Sequence, residues 1–178
     1  MESDDRRVER AETYKLLATL LLDEPALEAV EHFQEVFQLD LQESIEDIAA
    51  DFSTLFYNPK SHLIPYESAY ARISDSPVVP DDVASGVYNA YLREGLILED
   101  ENVIPDHIAA ELFFISYLIE AGKKEPLREF LRDHAVQWVP QFCDDLYESA
   151  GTEFYREVAA VTKDYVLSEY EELSYEPE

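Results

Sequence analysis

Glycine is scarce in this chain, and its four glycines, Gly86, Gly95, Gly122 and Gly151, each stand alone. A phosphate-cradling loop or a dinucleotide fingerprint needs several glycines close together, so both are excluded. The single cysteine, Cys143, rules out an intramolecular disulfide and any multi-cysteine metal site, and it fits a reducing compartment. Cations are also few: 13 Lys and Arg stand against 40 Asp and Glu, for a net charge of −27 at pH 7. The acidic excess runs along the whole chain, so nucleic acid and anionic lipid are repelled. Two readings of that charge stay open. One is adaptation to high salt, where counterions screen the self-repulsion; the other is an acidic patch that attracts a basic partner. Long apolar runs are missing too, since Leu16 to Leu22 falls far short of the roughly 20 residues of a membrane span. Arg6-Arg7 precedes Glu9, Arg10, Glu12 and Lys15 rather than an uncharged apolar stretch, so it is not expected to be an export signal. The chain is expected in the cytoplasm.

What remains is a chain of 178 residues, 47% of them hydrophobic, with nine Phe and 12 Tyr to fill a core. That is one domain, or two small lobes sharing a core. Asp4 to Leu22 reads as a first helix, with Ser3 as its cap and Ala11, Tyr14, Ala18 and Leu21 facing inward. Pro25 opens a second, with Val30, Phe33 and Phe37 inside. Leu41, Ile45, Ile48, Phe52 and Leu55 step by four, three, four and three, a third amphipathic helix that must stop by Asn58-Pro59. Asn58 to Pro65 reads as a loop. After it, Tyr66 and Tyr70, four apart, are expected on one side of a helical turn. Ser74 to Pro80 carries two prolines and no helical pattern. It divides an N-terminal lobe, residues 1–73, from a C-terminal lobe, residues 81–178, within one compact domain. Pro80 opens a helix that Gly95 ends. Leu96-Ile97-Leu98 and the acidic Glu99-Asp100-Glu101 lead to a central helix. Pro126 begins the next helix, Pro140 kinks it or starts another, and Thr152 caps the last, whose tail from Ser168 is expected to fray. No strand alternation is present. The fold class is all-α, a single bundle of about seven to nine helices.

The central stretch runs Pro105-Asp106-His107-Ile108-Ala109-Ala110-Glu111-Leu112. Pro105 suits the first position of a helix and Asp106 its first turn. Ile108, Leu112, Ile115 and Ile119 make a buried face, and His107 and Glu111, four apart, are surface neighbours. His107 between Asp106 and Glu111 should be protonated. A catalytic reading finds little: no Glu-x-x-His, His-Glu-x-x-His or Gly-x-Ser-x-Gly occurs. A metal-dependent enzyme using Asp106, His107, Glu111 and His134 is the weaker alternative. Another is an acidic scaffold subunit of a respiratory complex.

Pro105-Asp106-His107-Ile108-x-x-Glu111-Leu112 resembles the signature of the TorD/DmsD/NarJ family. Tyr14-Lys15-Leu16-Leu17-Ala18, Phe52-Ser53-Thr54-Leu55-Phe56, Pro65-Tyr66-Glu67-Ser68-Ala69-Tyr70 and His134 with Trp138 agree in order. Members of that family are cytoplasmic chaperones that mature molybdopterin oxidoreductases exported by the twin-arginine route, without a cofactor of their own. The resemblance implies binding of the signal peptide and apo-form of such a subunit, so that export waits for the cofactor. It places recognition at Leu55, Phe56, Pro65, Tyr66, Ser68, Tyr70, Asp106 and His107. An arginine pair followed by an apolar stretch wants carboxylates and aromatic faces, which adds Glu67, Glu111 and Tyr57 to the expected set. Tyr66 and Tyr70 stand where some relatives carry tryptophan. The chain is expected as a monomer or as a dimer that exchanges lobes.

Overall fold

A computed structural model describes residues 4–60, 63–71, 80–99 and 104–175. Ser3, the connection 74–79 and Asp100-Glu101 lie outside the described residues. The first helix, α1 (Asp4–Leu22), has the expected bounds, and Ala11, Tyr14, Ala18 and Leu21 are all buried. It lies along the central helix, α6 (Ile108–Glu120), and touches the last, α9 (Glu153–Tyr175). α6 is apolar nearly all round, which suits a helix at the middle of a core. Ile108, Leu112, Ile115 and Ile119 are buried, and Ser116 Oγ donates to Ala11 O of α1 at 2.8 Å. Residues on both sides of the 74–80 connection therefore share one core.

Around this pair stand α2 (Leu27–Val36), α3 (Ile45–Tyr57), the single turn α4 (Glu67–Tyr70) and α5 (Pro80–Arg93). α2 begins two residues after Pro25, with Phe33 wedged against Phe37 and Phe154. Truncating Phe33 to Ala would cost about 3–5 kcal/mol. Ser44 caps α3 by accepting from Asp47 N, so Leu41 packs on the core from the segment before the helix. α5 ends at Gly95, whose φ of +80° suits glycine, with Leu96 N donating to Tyr91 O at 3.0 Å.

α7 (Lys124–Phe130), a π turn (Leu131–Ala135) and α8 (Val136–Ser149) form one continuous rod. Pro126 is its third residue and Pro140 sits inside α8, so neither starts a helix. The π turn directly precedes Val136, whose carbonyl Pro140 has no N–H to meet. Thr152 caps α9, as Tyr155 N donates to its Oγ1. Gly151 lets Asp51 approach this end: a Cβ there would lie 3.1 Å from Asp51 Oδ1. The tail does not fray at Ser168. α9 runs on to Tyr175 because Arg10 holds Glu169 at 2.6 Å and Leu173 is buried. Among the described residues there is no strand, and no helix is long and apolar enough to cross a membrane.

Candidate functional site

The central helix starts three residues later than its proline suggests, and the reason is a pairing distant in sequence. Ile64 precedes Pro65 and so favours extended backbone. Glu67 N donates to Asp106 O at 3.0 Å and Ile108 N to Pro65 O at 2.9 Å. Tyr66 and His107 are thereby an antiparallel bridge of the non-hydrogen-bonded type, which brings side chains close. Their rings meet edge to face at 5.1 Å. The Tyr91 hydroxyl pins the corner by donating to Pro105 O at 2.7 Å. Asp106 is thus ahead of the helix rather than in its first turn. Its Oδ2 accepts from Ser68 N at 2.9 Å and so holds α4.

His107 caps α6 with its ring, Nδ1 accepting from Ala109 N at 3.0 Å. An accepting Nδ1 leaves the proton on Nε2, a neutral imidazole. Burial pushes its pKa down to about 4, against the opposing pull of Asp106. The expected protonated His107 is therefore corrected: desolvation outweighs the neighbouring carboxylate.

The carboxylates expected to face a guanidinium are inside. Asp106 and Glu111 are 0% exposed and Glu67 7%. Glu111 Oε2 accepts from Trp138 Nε1 at 3.1 Å, and Glu67 lies 3.1 Å from His134 Nδ1. Burial, then the nearby Glu67 charge, holds the Glu111 carboxyl well above its ordinary pKa. Asp106 Oδ1 and Glu111 Oε1 have no hydrogen-bond partner among the described residues. The metal reading fails on the same geometry. His107 spends Nδ1 on its cap, His134 turns to Glu67, and no group of three or more His, Cys, Asp or Glu among the described residues is placed to hold an ion.

Tyr66 and Tyr70 do not share a face, because Tyr66 is extended and stands before the turn. Tyr70 packs on Trp138 and donates to Asp145 Oδ2 at 3.0 Å, with its pKa raised by burial and then by Asp145. Tyr66 instead lines a cleft of about 590 Å³ with His107, Tyr57, Leu22, Ile97 and Phe113. A recess of about 260 Å³ adjoins it, walled by Phe56, Tyr57, Pro65, Tyr66 and His107, with Leu55 buried in the core beneath α3's last turn. Of the expected residues, then, Phe56, Tyr57, Pro65, Tyr66 and His107 meet at one groove. Asp106, Glu67 and Glu111 are buried rather than lining it, and Ser68 contributes its backbone.

Sequence reasoning missed Leu22, Ile97, Ile104 and Phe113 as groove walls. The apolar run Leu96-Ile97-Leu98 after a helix-ending glycine was the available signal. Ile97 is 72% exposed and Tyr57 65%, while Leu22, Ile64, Ile104 and Phe113 are also exposed. Among the described residues, half of the large exposed apolar side chains thus rim one groove and its recess, the kind of patch that marks a binding surface.

An all-α bundle of this form matches a solved structure described as a redox enzyme maturation protein of Archaeoglobus fulgidus. The TM-score is 0.62 at 24% identity, covering 88% of this chain and 93% of that one. The sequence family described as nitrate reductase delta subunit matches residues 19–144. Chaperone protein TorD of Shewanella piezotolerans is 25% identical over 80% of this chain and 69% of its own length. Chaperone protein YcdY of Escherichia coli is 26% identical over 78% and 72%. The fold is that of an all-α bundle with an uncharged groove against its central helix. The chain belongs to the nitrate reductase delta subunit family, and the relatives it resembles are chaperones.

Proposed function

We propose that the groove holds the apolar stretch of a twin-arginine leader on a molybdopterin oxidoreductase subunit. Bound in the cytoplasm, the apo-subunit would be kept from export until its cofactor is in place. The observation that carries this reading is the lining of the cleft. No Asp, Glu, Lys or Arg is among the described residues that line it, in a protein of which 30% is charged. Such a groove rewards an apolar occupant by roughly 1.5–3 kcal/mol for each large side chain buried, and penalises a charged one that finds no partner there.

The arginine pair is a separate matter. Asp106, Glu67 and Glu111 are buried, so among the described residues beside the groove the carboxylates open to a guanidinium include Asp23 and Glu24, just beyond Leu22, and Glu99, just beyond Leu98. Exposed pairs of that kind are worth about 1 kcal/mol or less. Affinity is therefore expected to follow the apolar stretch. In titration calorimetry, a leader peptide with its apolar residues changed to Asn or Ser should lose binding, and a Lys-Lys version should weaken only a few-fold. Phe113→Asp should weaken the native leader more than about tenfold with helix content unchanged. Equal affinity for the native and the polar leader would end the proposal.

A further inference from the structure

Next to the groove wall lies a chain of buried polar side chains that peptide contact does not use. Trp138 Nε1 donates to Glu111 Oε2 at 3.1 Å. Glu67 lies against Glu111 and, on its other side, sits 3.1 and 3.2 Å from His134 Nδ1. Glu67 directly follows Tyr66, whose ring is part of the wall. The remaining titratable groups facing the pair are Asp106, at the corner before α6, and Tyr91, on α5. Among the described residues no lysine or arginine pairs with Glu67, Glu111 or Asp106.

Two carboxyls side by side in apolar surroundings strongly disfavour the second ionisation. A proton held between them removes that repulsion. Glu111 Oε1 is buried without an ordinary donor, which makes it the oxygen free to carry that proton toward Glu67. We infer that Glu111 is a neutral carboxylic acid donating to Glu67, and that the Trp138–Glu111–Glu67–His134 chain is a positioning device that holds Tyr66 in the groove wall and releases it when the shared proton is lost to alkaline solvent. Burial and the Glu67 charge both favour the protonated Glu111 that this requires. Once the proton leaves, two anions face each other and Glu67 is driven from its place between Glu111 and His134. Glu111→Gln keeps both hydrogen bonds, since the amide accepts from Trp138 and donates to Glu67, and has no proton to lose.

The effect on binding rests on the reading of the groove as a peptide site; the latch itself has an independent signature. Trp138 is the only tryptophan, so its fluorescence reports directly on Glu111. In the full chain, emission should titrate once, well above the range of an ordinary glutamate, while Glu111→Gln stays flat. Amide protection factors at Glu67 and Ser68 should fall over the same interval in the wild type alone. Leader Kd should rise about tenfold or more there, as expected for a lost hydrogen bond to a charged group, and stay constant in Glu111→Gln. Should that variant fail to fold, Glu67→Gln must move the titration to lower pH, because the neighbouring charge is gone while burial remains. Flat wild-type emission, or a midpoint that Glu111→Gln or Glu67→Gln retains, overturns the inference. If emission titrates as stated but no leader binds at any pH, the latch stands and the peptide reading falls.

Discussion

At the N-terminus of α9 two carboxylates from other parts of the chain face the free backbone N–H groups, whereas at the N-terminus of α6 a neutral imidazole does so. Asp51 accepts from Gly151 N at 3.0 Å, Thr152 N at 2.8 Å and Thr152 Oγ1 at 2.6 Å. Glu43 accepts from Glu153 N and Phe154 N at 2.6 and 2.9 Å. Both oxygens of each acid are used, and the helix dipole favours both charges. At α6, Asp106 turns back to Ser68 with one oxygen unpartnered, and Glu111 is buried in the helix behind it. The difference separates two uses of the same local chemistry. One end is satisfied in full and serves the fold; the other tolerates unsatisfied atoms beside a large cleft with no charged residue in its lining.

Substitutions can break or sharpen that contrast. The largest effect is expected at α9: Asp51→Ala strips three hydrogen bonds and should cost about 3 kcal/mol or more in chemical denaturation, leaving leader binding unchanged. At α6, Asp106→Ala should cost less, about 2 kcal/mol, because one oxygen was unpartnered from the start. It should weaken leader binding as well, since Ser68 and the wall lose their anchor. Equal binding loss in both variants would erase the distinction. The smallest effect is His107→Ala, about 1 kcal/mol for a lost cap. Its pH dependence carries more information than its size. The pKa of His107 is near 4 when folded against 6.5 ordinarily, so the folded state binds fewer protons. Its stabilisation is full above about pH 6.5 and is lost as pH falls through 4. His107→Asn, a cap that does not titrate, should flatten that acid limb in thermal melts.

Periodic segments were legible in the sequence because their partners are read one face at a time. α1 has the residues expected of it, and the four-three-four step of α3 reappears as buried Ile48, Phe52 and Leu55. The α6 mouth was not legible in the same way. Pro105 signals a helix start in isolation, but pairing with Pro65 and Glu67, some 40 residues earlier, draws it into a turn. That pairing also splits Tyr66 from Tyr70 and buries the carboxylates. The aromatic part of the candidate site could be named in advance, Phe56, Tyr66 and His107 from motif and Tyr57 from the ring faces that an apolar leader wants. Its aliphatic walls could not, because Ile97 and Ile104 belong to connections rather than to any periodic face. The acidic tail misled for a simpler reason: Arg10, nearly a whole chain away, holds Glu169.

The central pair of helices also sets an order of events. Ser116 meets Ala11 across 105 residues, and the groove takes Leu22 from the first helix and Phe113 from the sixth. A chain still emerging from the ribosome has α1 exposed long before α6 exists, and domains fold as units. The groove walls therefore cannot meet until the sixth helix has been made.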